Sequence, residues 1–232
     1  MMPTNADRSE GAHRRPAGSP IGVKICGIRE RSAFNAACEA GADWLGFVFF
    51  ARSPRCVTPQ TVATLLRSEK KARPQTVGLF VKADDSTIER TLSVADLDIL
   101  QIYDTPARAL EIRQKFKRPV WLSCAVTTPI DLPENTMLDG YVIEPRAPAD
   151  AALPGGNGIT LDWSLLRHWQ APSPWMLAGG LTPDNVARAL AMSHAPAVDV
   201  SSGVETAPGE KSPELVRNFI KNVRGYCAAN KR

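Results

Sequence analysis

No apolar run in this chain approaches the roughly 20 residues that a membrane-spanning helix needs, so a helical membrane protein is excluded. Dense Lys/Arg blocks are also missing. The formal net charge is only +4 over 232 residues, which gives nucleic-acid binding little support. Histidine is scarce. His13, His168 and His194 are the only three, none lies near a second plausible ligand in sequence, and no metal site is expected. The five cysteines (Cys26, Cys38, Cys56, Cys124, Cys227) are odd in number and contain no C-x-x-C pair, as expected of reduced thiols in a cytoplasmic protein. Nor does a G-x-G-x-x-G follow the first apolar run, so an open doubly wound sheet, the runner-up architecture, lacks its phosphate-binding signature.

What the chain does contain is an ordinary globular mixture, 44% hydrophobic and 22% charged, long enough for one large α/β core. Residues 1–20 are polar and rich in Arg, Gly, Pro and Ser. Arg14-Arg15 lies there without the 7–15-residue apolar stretch of an export signal, so a disordered leader is expected. The expected organisation is therefore a leader over 1–20, one barrel domain over 21–226 and a short tail over 227–232.

From Ile21 onward, short apolar runs alternate with helical patterns. The runs are Gly22–Ile25, Trp44–Phe49, Thr76–Val81, Asp98–Ile102, Pro119–Cys124, Gly140–Ile143, Trp175–Ala178 and Ala197–Val200. Nearly continuous apolar character marks parallel strands covered on both faces. Thr58-Pro59, Thr105-Pro106, Thr182-Pro183 and Ser212-Pro213 each offer a capping hydroxyl followed by proline at the first helical position. Ala33, Ala36, Ala37 and Ala40 recur at helical spacing, with Gly41 placed to stop that helix. Eight strand–helix alternations predict a single closed (β/α)8 TIM barrel. The stretch Thr127–Leu161 is the exception: the fifth helix is barely visible, the sixth is expected near Asp162-Trp163, and Gly155-Gly156-Asn157-Gly158 must be loop.

In such a barrel the C-terminal ends of the strands carry the active site. Cys26 ends the first strand, Ser53-Pro54-Arg55 follows the second, Tyr103-Asp104 the fourth, and Glu144 ends the sixth. Gly179-Gly180 and Ser201-Ser202-Gly203 follow the seventh and eighth. There, backbone N–H groups and helix N-termini make a phosphate cradle, with Gly179, Gly180, Ser202 and Gly203 as the candidate binding residues. A thiol facing a phosphate cradle points to chemistry on a phosphorylated small molecule. Each candidate has a plainer reading. Cys26 could be a small buried hydrophobe, Arg55 a solvated loop arginine, Glu144 a loop carboxylate capping an N–H, and Asp199 a turn cap. Tyr103 reads as rim packing, and Trp163, Trp169 and Trp175 as packing residues.

Lys24–Gly27, Gly41–Phe49, Ser53–Arg55, Gly155–Gly158 with Asp162-Trp163, and the two late loops, in that order, resemble the phosphoribosylanthranilate isomerase family over about Val23–Val223. The resemblance implies an Amadori rearrangement of N-(5-phosphoribosyl)anthranilate in tryptophan biosynthesis, with no metal or organic cofactor and a monomeric or homodimeric enzyme. It makes Cys26 the general base, expected as a thiolate with its pKa below the free value of about 8.5. It sets Arg55 opposite the substrate's carboxylate and Asp199 near its amine and ribose hydroxyls. Three residues depart from the family pattern. Glu144 stands where an aspartate acid is usual, Tyr103-Asp104 where His-Gly is usual, and Asn157 where threonine is usual. Glu144 is one methylene longer than that aspartate, and burial must raise its pKa if it is to stay protonated. These departures motivate a second reading: a barrel with a degraded acid site that binds a phosphosugar or a partner protein without efficient catalysis. A third, indole-glycerol-phosphate synthase, needs catalytic lysines at strand ends, and Lys24 and Lys82 are poorly placed for it. No internal half-barrel repeat is visible.

Overall fold

The computed structural model describes residues 21–67, 73–134, 138–148, 150–151, 155–156 and 158–230. The expected leader over 1–20 and Asn157 lie outside these residues. Eight parallel strands close in sequence order into a barrel. They are β1 (Gly22–Cys26), β2 (Trp44–Val48), β3 (Gln75–Val81), β4 (Ile99–Tyr103), β5 (Val120–Val126), β6 (Gly140–Pro145), β7 (Trp175–Leu177) and β8 (Ala197–Val200). The helices are α1 (Arg31–Ala40), α2 (Pro59–Arg67), α3 (Asp85–Leu92), α4 (Pro106–Phe116), α5 (Val186–Ser193) and α6 (Pro213–Ala229). A small antiparallel hairpin, β9 (Glu205–Ala207) and β10 (Glu210–Lys211), stands over the rim before α6.

Local chemistry sets the helix ends. Thr105 and Ser212 accept from the N–H groups of Arg108 and Leu215, and Thr58 Oγ1 accepts from Thr61 N. Gly41, at φ 82°, ends α1 in the left-handed conformation that glycine takes freely. Thr182-Pro183 does not start α5. Asn185 Oδ1 accepts from Thr182 N at 2.8 Å, forming a turn, and the helix begins only at Val186. Between β5 and β6 the described residues form a 3-10 turn over Pro129–Asp131, and the expected sixth helix is only a 3-10 turn over Trp163–Leu166, capped by Asp162. Prolines 129, 133, 145 and 148 in this stretch remove donors that a longer helix would need. The last helix continues past Tyr226 to Ala229, and Cys227 Sγ accepts from Ile21 N at 3.4 Å.

Strand alternation divides the core. Outward residues such as Val23, Ile25, Val198 and Val200 pack under the helices in one large cluster. Inward residues Val77, Ile99, Trp121, Val142, Met176 and Ala197 make a separate apolar floor, with Trp44 and Trp121 meeting edge-on at 5.4 Å. At the N-terminal rim one device occurs three times. Asp43, Asp98 and Asp139 each precede an even-numbered strand, and their carboxylates accept from the N–H groups of Val23, Thr76 and Val120 at 2.8, 2.8 and 2.9 Å. Their own N–H groups donate back to the carbonyls of the same three residues. An arginine completes each clasp: Arg224, Arg73 and Arg113 respectively.

Candidate active site

Period-two alternation also decides what meets at the top of the barrel. Lys24 and Cys26 share the inward face of β1, Gln101 and Tyr103 that of β4, Val142 and Glu144 that of β6, and Ala197 and Asp199 that of β8. Above the apolar floor the upper residue of each pair lines a cavity of about 70 Å³ that opens at the C-terminal rim. Cys26, Arg55, Glu144, Gly179, Gly180, Asp199 and Ser202 all line it. Gly203 lies just behind: a Cβ there would overlap the carbonyl oxygen of Leu181, so the turns after β7 and β8 meet backbone to backbone.

Lys24 is wholly buried, and its Nζ donates to Asp199 Oδ2 at 2.8 Å across the β1–β8 register. Burial alone would lower this ammonium, but Asp199 and Cys26 outweigh it and hold the lysine above its ordinary 10.5. Asp199 belongs to β8 rather than to a turn. Its other oxygen, Oδ1, is buried and has no hydrogen-bond partner among the described residues. Such an orphan costs about 1–3 kcal/mol until a donor reaches it.

Cys26 Sγ lies against Gly46, where even a Cβ would come within 2.8 Å of the sulfur. Burial pushes the thiol above its ordinary 9.0, and Lys24 and Lys211, which favour the thiolate, do not overcome it. The expected depression is therefore corrected: the resting group is the neutral thiol, because desolvation and the nearby Asp199 outweigh two lysines. Glu144 sits within β6 at 5% exposure, so it is not a loop carboxylate. Burial raises its carboxyl to about 8, with Asp199 adding to the rise and Tyr103 and Lys24 opposing it. A carboxylic acid of this kind is protonated at neutral pH.

Arg55 is not a solvated loop residue. At 6% exposure it grips Glu205 with two bonds of 2.8 Å, from Nε and Nη2, while Nη1 lies beside Gly156. Lys211 Nζ donates to the same Glu205 and to Ser201 O. Burial would raise Glu205, but Arg55 and Lys211 prevail and hold it below its ordinary value. The β9–β10 hairpin therefore delivers a cation beside Cys26 and an anion to Arg55. Sequence reasoning missed this pair. A buried glutamate demands a cation, but nothing local indicates that one partner lies 150 residues away.

Tyr103 corrects a second reading. It lines the cavity, with its hydroxyl beside the Glu144 carboxyl under Gly155, so it is more than rim packing. Asp104 is spent locally, accepting from Thr105 N at 2.7 Å. Trp169 packs edge-on against Trp175, and Trp163 lies under Arg188. At the late turns Gly179 and Gly180 take φ of 88° and 62°, and Ser202 opens a 3-10 turn. The N–H groups of Gly180, Ser202 and Gly203 donate to no described residue, which leaves three donors for an anion. Among the described residues no three His, Cys, Asp or Glu side chains gather as a metal site, and no helix is long and apolar enough to cross a membrane.

Comparison with known proteins bears on this geometry. Residues 23–222 match the family model of N-(5'phosphoribosyl)anthranilate (PRA) isomerase. The chain is 50% identical over 199 residues to the N-(5'-phosphoribosyl)anthranilate isomerase of Acidiphilium cryptum, covering 85% of this chain and 96% of that one. It also resembles the solved phosphoribosyl anthranilate isomerase of Thermotoga maritima, with TM-score 0.75 and 29% identity over 88% of this chain and 99% of that one. A further solved phosphoribosyl anthranilate isomerase was obtained in complex with reduced 1-(o-carboxyphenylamino)-1-deoxyribulose 5-phosphate. It gives TM-score 0.71 and 29% identity, with the same coverage of each chain.

Proposed function

This chain belongs to the N-(5'-phosphoribosyl)anthranilate isomerase family, and from that premise we propose which of its residues carry the reaction. The enzyme converts N-(5-phosphoribosyl)anthranilate to 1-(2-carboxyphenylamino)-1-deoxyribulose 5-phosphate by an Amadori rearrangement, in tryptophan biosynthesis. Glu144 is the general acid. It gives its proton to the furanose ring oxygen, the C1–O bond breaks, and the anilino nitrogen takes up the positive charge as an iminium. Cys26, as thiolate, then removes the C2 proton. The C–H electrons form the enolamine, which tautomerises to the aminoketone. The observation that carries this reading is that one cavity holds a carboxyl protonated up to about 8 and a thiol flanked by two lysines.

The remaining candidates bind. The N–H groups of Gly180, Ser202 and Gly203 take the phosphate, with Gly179 giving the turn its shape. Asp199 Oδ1, the orphaned oxygen, accepts from the substrate's amine or ribose hydroxyls. Arg55, oriented by Glu205, offers its Nη1 edge to the anthranilate carboxylate. Because thiol and carboxyl must act in opposite protonation states, the pH profile belongs to the pair rather than to either group.

The test generates substrate in situ and follows its loss by fluorescence. Cys26→Ala should abolish turnover while product binding stays near the wild-type value, because the thiol acts in proton transfer. Turnover by Cys26→Ala would remove the base from Cys26.

A further inference from the structure

Gln101, Ser123, Tyr103 and Glu144 stand on three adjacent strands, β4, β5 and β6, and form one polar cluster inside the barrel. Gln101 Nε2 donates to Ser123 Oγ at 2.9 Å. Ser123 and Glu144 are the polar neighbours that act on the Tyr103 hydroxyl, and Tyr103 in turn acts on the Glu144 carboxyl. Gly155 closes the pair from above. A Cβ at that position would lie 2.7 Å from Glu144 Oε2 and 2.8 Å from the Tyr103 hydroxyl. The two side chains therefore meet under a backbone segment with no room for a side chain.

We propose that Tyr103 is a positioning residue for the acid step, its hydroxyl fixing the Glu144 carboxyl so that the acidic proton sits on the oxygen facing the substrate. This rests on the assignment of Glu144 as the acid. A protonated carboxyl has one accepting oxygen and one donating O–H. A donor fixed on one oxygen therefore assigns the proton to the other. Once the proton has gone to the ring oxygen, the same phenol stabilises the carboxylate left behind. Desolvation and the Glu144 carboxylate keep the phenol well above its ordinary 10.0, so it remains a donor throughout. Glutamate carries one more rotatable bond than aspartate, and a fixed donor removes that freedom at the position where about 1 Å of displacement can cost 10²-fold in rate.

The titratable groups that act on Glu144 from inside the barrel are Tyr103 on β4, Asp199 on β8 and Lys24 on β1, while Cys124, on the outward face of β5, feels its charge. Of these, Tyr103 and Lys24 favour its ionised form. Removing the hydroxyl in Tyr103→Phe should lower kcat roughly 10- to 100-fold, the value of a hydrogen bond to a charged group, with KM changed little. The inflection of the kcat/KM profile set by Glu144 near pH 8 should move up by about one pH unit. Ser123→Ala should shift kcat and the inflection in the same direction by less. A purely structural tyrosine would change thermal stability or KM and leave the inflection in place. Glu144→Gln run alongside separates the failures. If Glu144→Gln is inactive but Tyr103→Phe keeps both kcat and inflection, the positioning role is wrong and the acid stands. If Glu144→Gln turns over normally, both are overturned.

Discussion

Replacing Glu144 by glutamine should make the protein more stable and nearly inactive, and the two effects should separate with pH. A carboxyl held at about 8 instead of its ordinary 4.5 is a group whose ionisation the fold resists. At 1.36 kcal/mol per pH unit the full difference is about 5 kcal/mol, and on the order of 3 kcal/mol remains once water enters and the site relaxes. The sign follows from proton counting. Between pH 4.5 and 8 the folded chain holds this proton and the unfolded chain does not, so wild-type stability falls as pH rises through that window. Below it both states are protonated, and above it both are ionised with the penalty complete. Glutamine has the shape of the protonated acid and no charge to lose. The assay is urea unfolding of wild type and Glu144→Gln at pH 4.5, 6, 7 and 8.5, taking the difference at each pH so that every other titrating group cancels. The difference should be small at the acid end and grow to a few kcal/mol in favour of the variant at the alkaline end. Turnover at pH 7 should fall by a factor on the order of 10² or more, as loss of a general acid does. A stability difference that stays flat across this range would refute the protonated carboxyl, whatever the variant does to the rate.

Two further changes test the surrounding framework. Gly203→Ala places a methyl group on the Leu181 carbonyl oxygen and must part the turns after β7 and β8. KM should rise strongly, phosphate protection against thermal unfolding should disappear, and an unchanged KM would show that the cradle lies elsewhere. Lys211→Met leaves Glu205 with Arg55 alone in a buried site and removes one cation beside Cys26. It should cost about 3–5 kcal/mol of stability in chemical denaturation and slow alkylation of Cys26, measured against a Cys26→Ala background. Alkylation at the wild-type rate would exclude Lys211 as an influence on the thiol.

Much of the barrel was legible because parallel strands covered on both faces leave nearly continuous apolar runs, and all eight appear where such runs stand. Proline after threonine or serine marked three helix starts correctly and failed at Thr182-Pro183, where the Asn185 side chain closes a turn first. The stretch between β5 and β7 stayed faint for a physical reason: its prolines and glycines leave only short 3-10 turns among the described residues. The positions of Cys26, Glu144 and Asp199 followed from strand ends and from the family resemblance. Their electrostatics did not, because the pKa of a thiol depends on burial and on partners such as Lys211 that sequence does not bring near. Tyr103 was undervalued for the same reason. Its polar neighbours, Ser123 and Glu144, come from two other strands.

The three aspartate clasps at the lower rim tie β1 to β2, β3 to β4 and β5 to β6, each by reciprocal backbone bonds and an arginine. The fourth pair has no counterpart: Pro196, not aspartate, precedes β8, and β7 is only three residues long. The chain is thus three fastened couples and one loose one, and hydrogen exchange should find its easiest opening at β7–β8, where the registered pairing is Leu177 with Val198. That loose couple carries the two turns assigned to the phosphate. An anion bridging them from above would fasten the fourth quarter from the opposite end. The wall of this cylinder would then be completed by its own cargo, and release of product would be the moment at which the seam slackens.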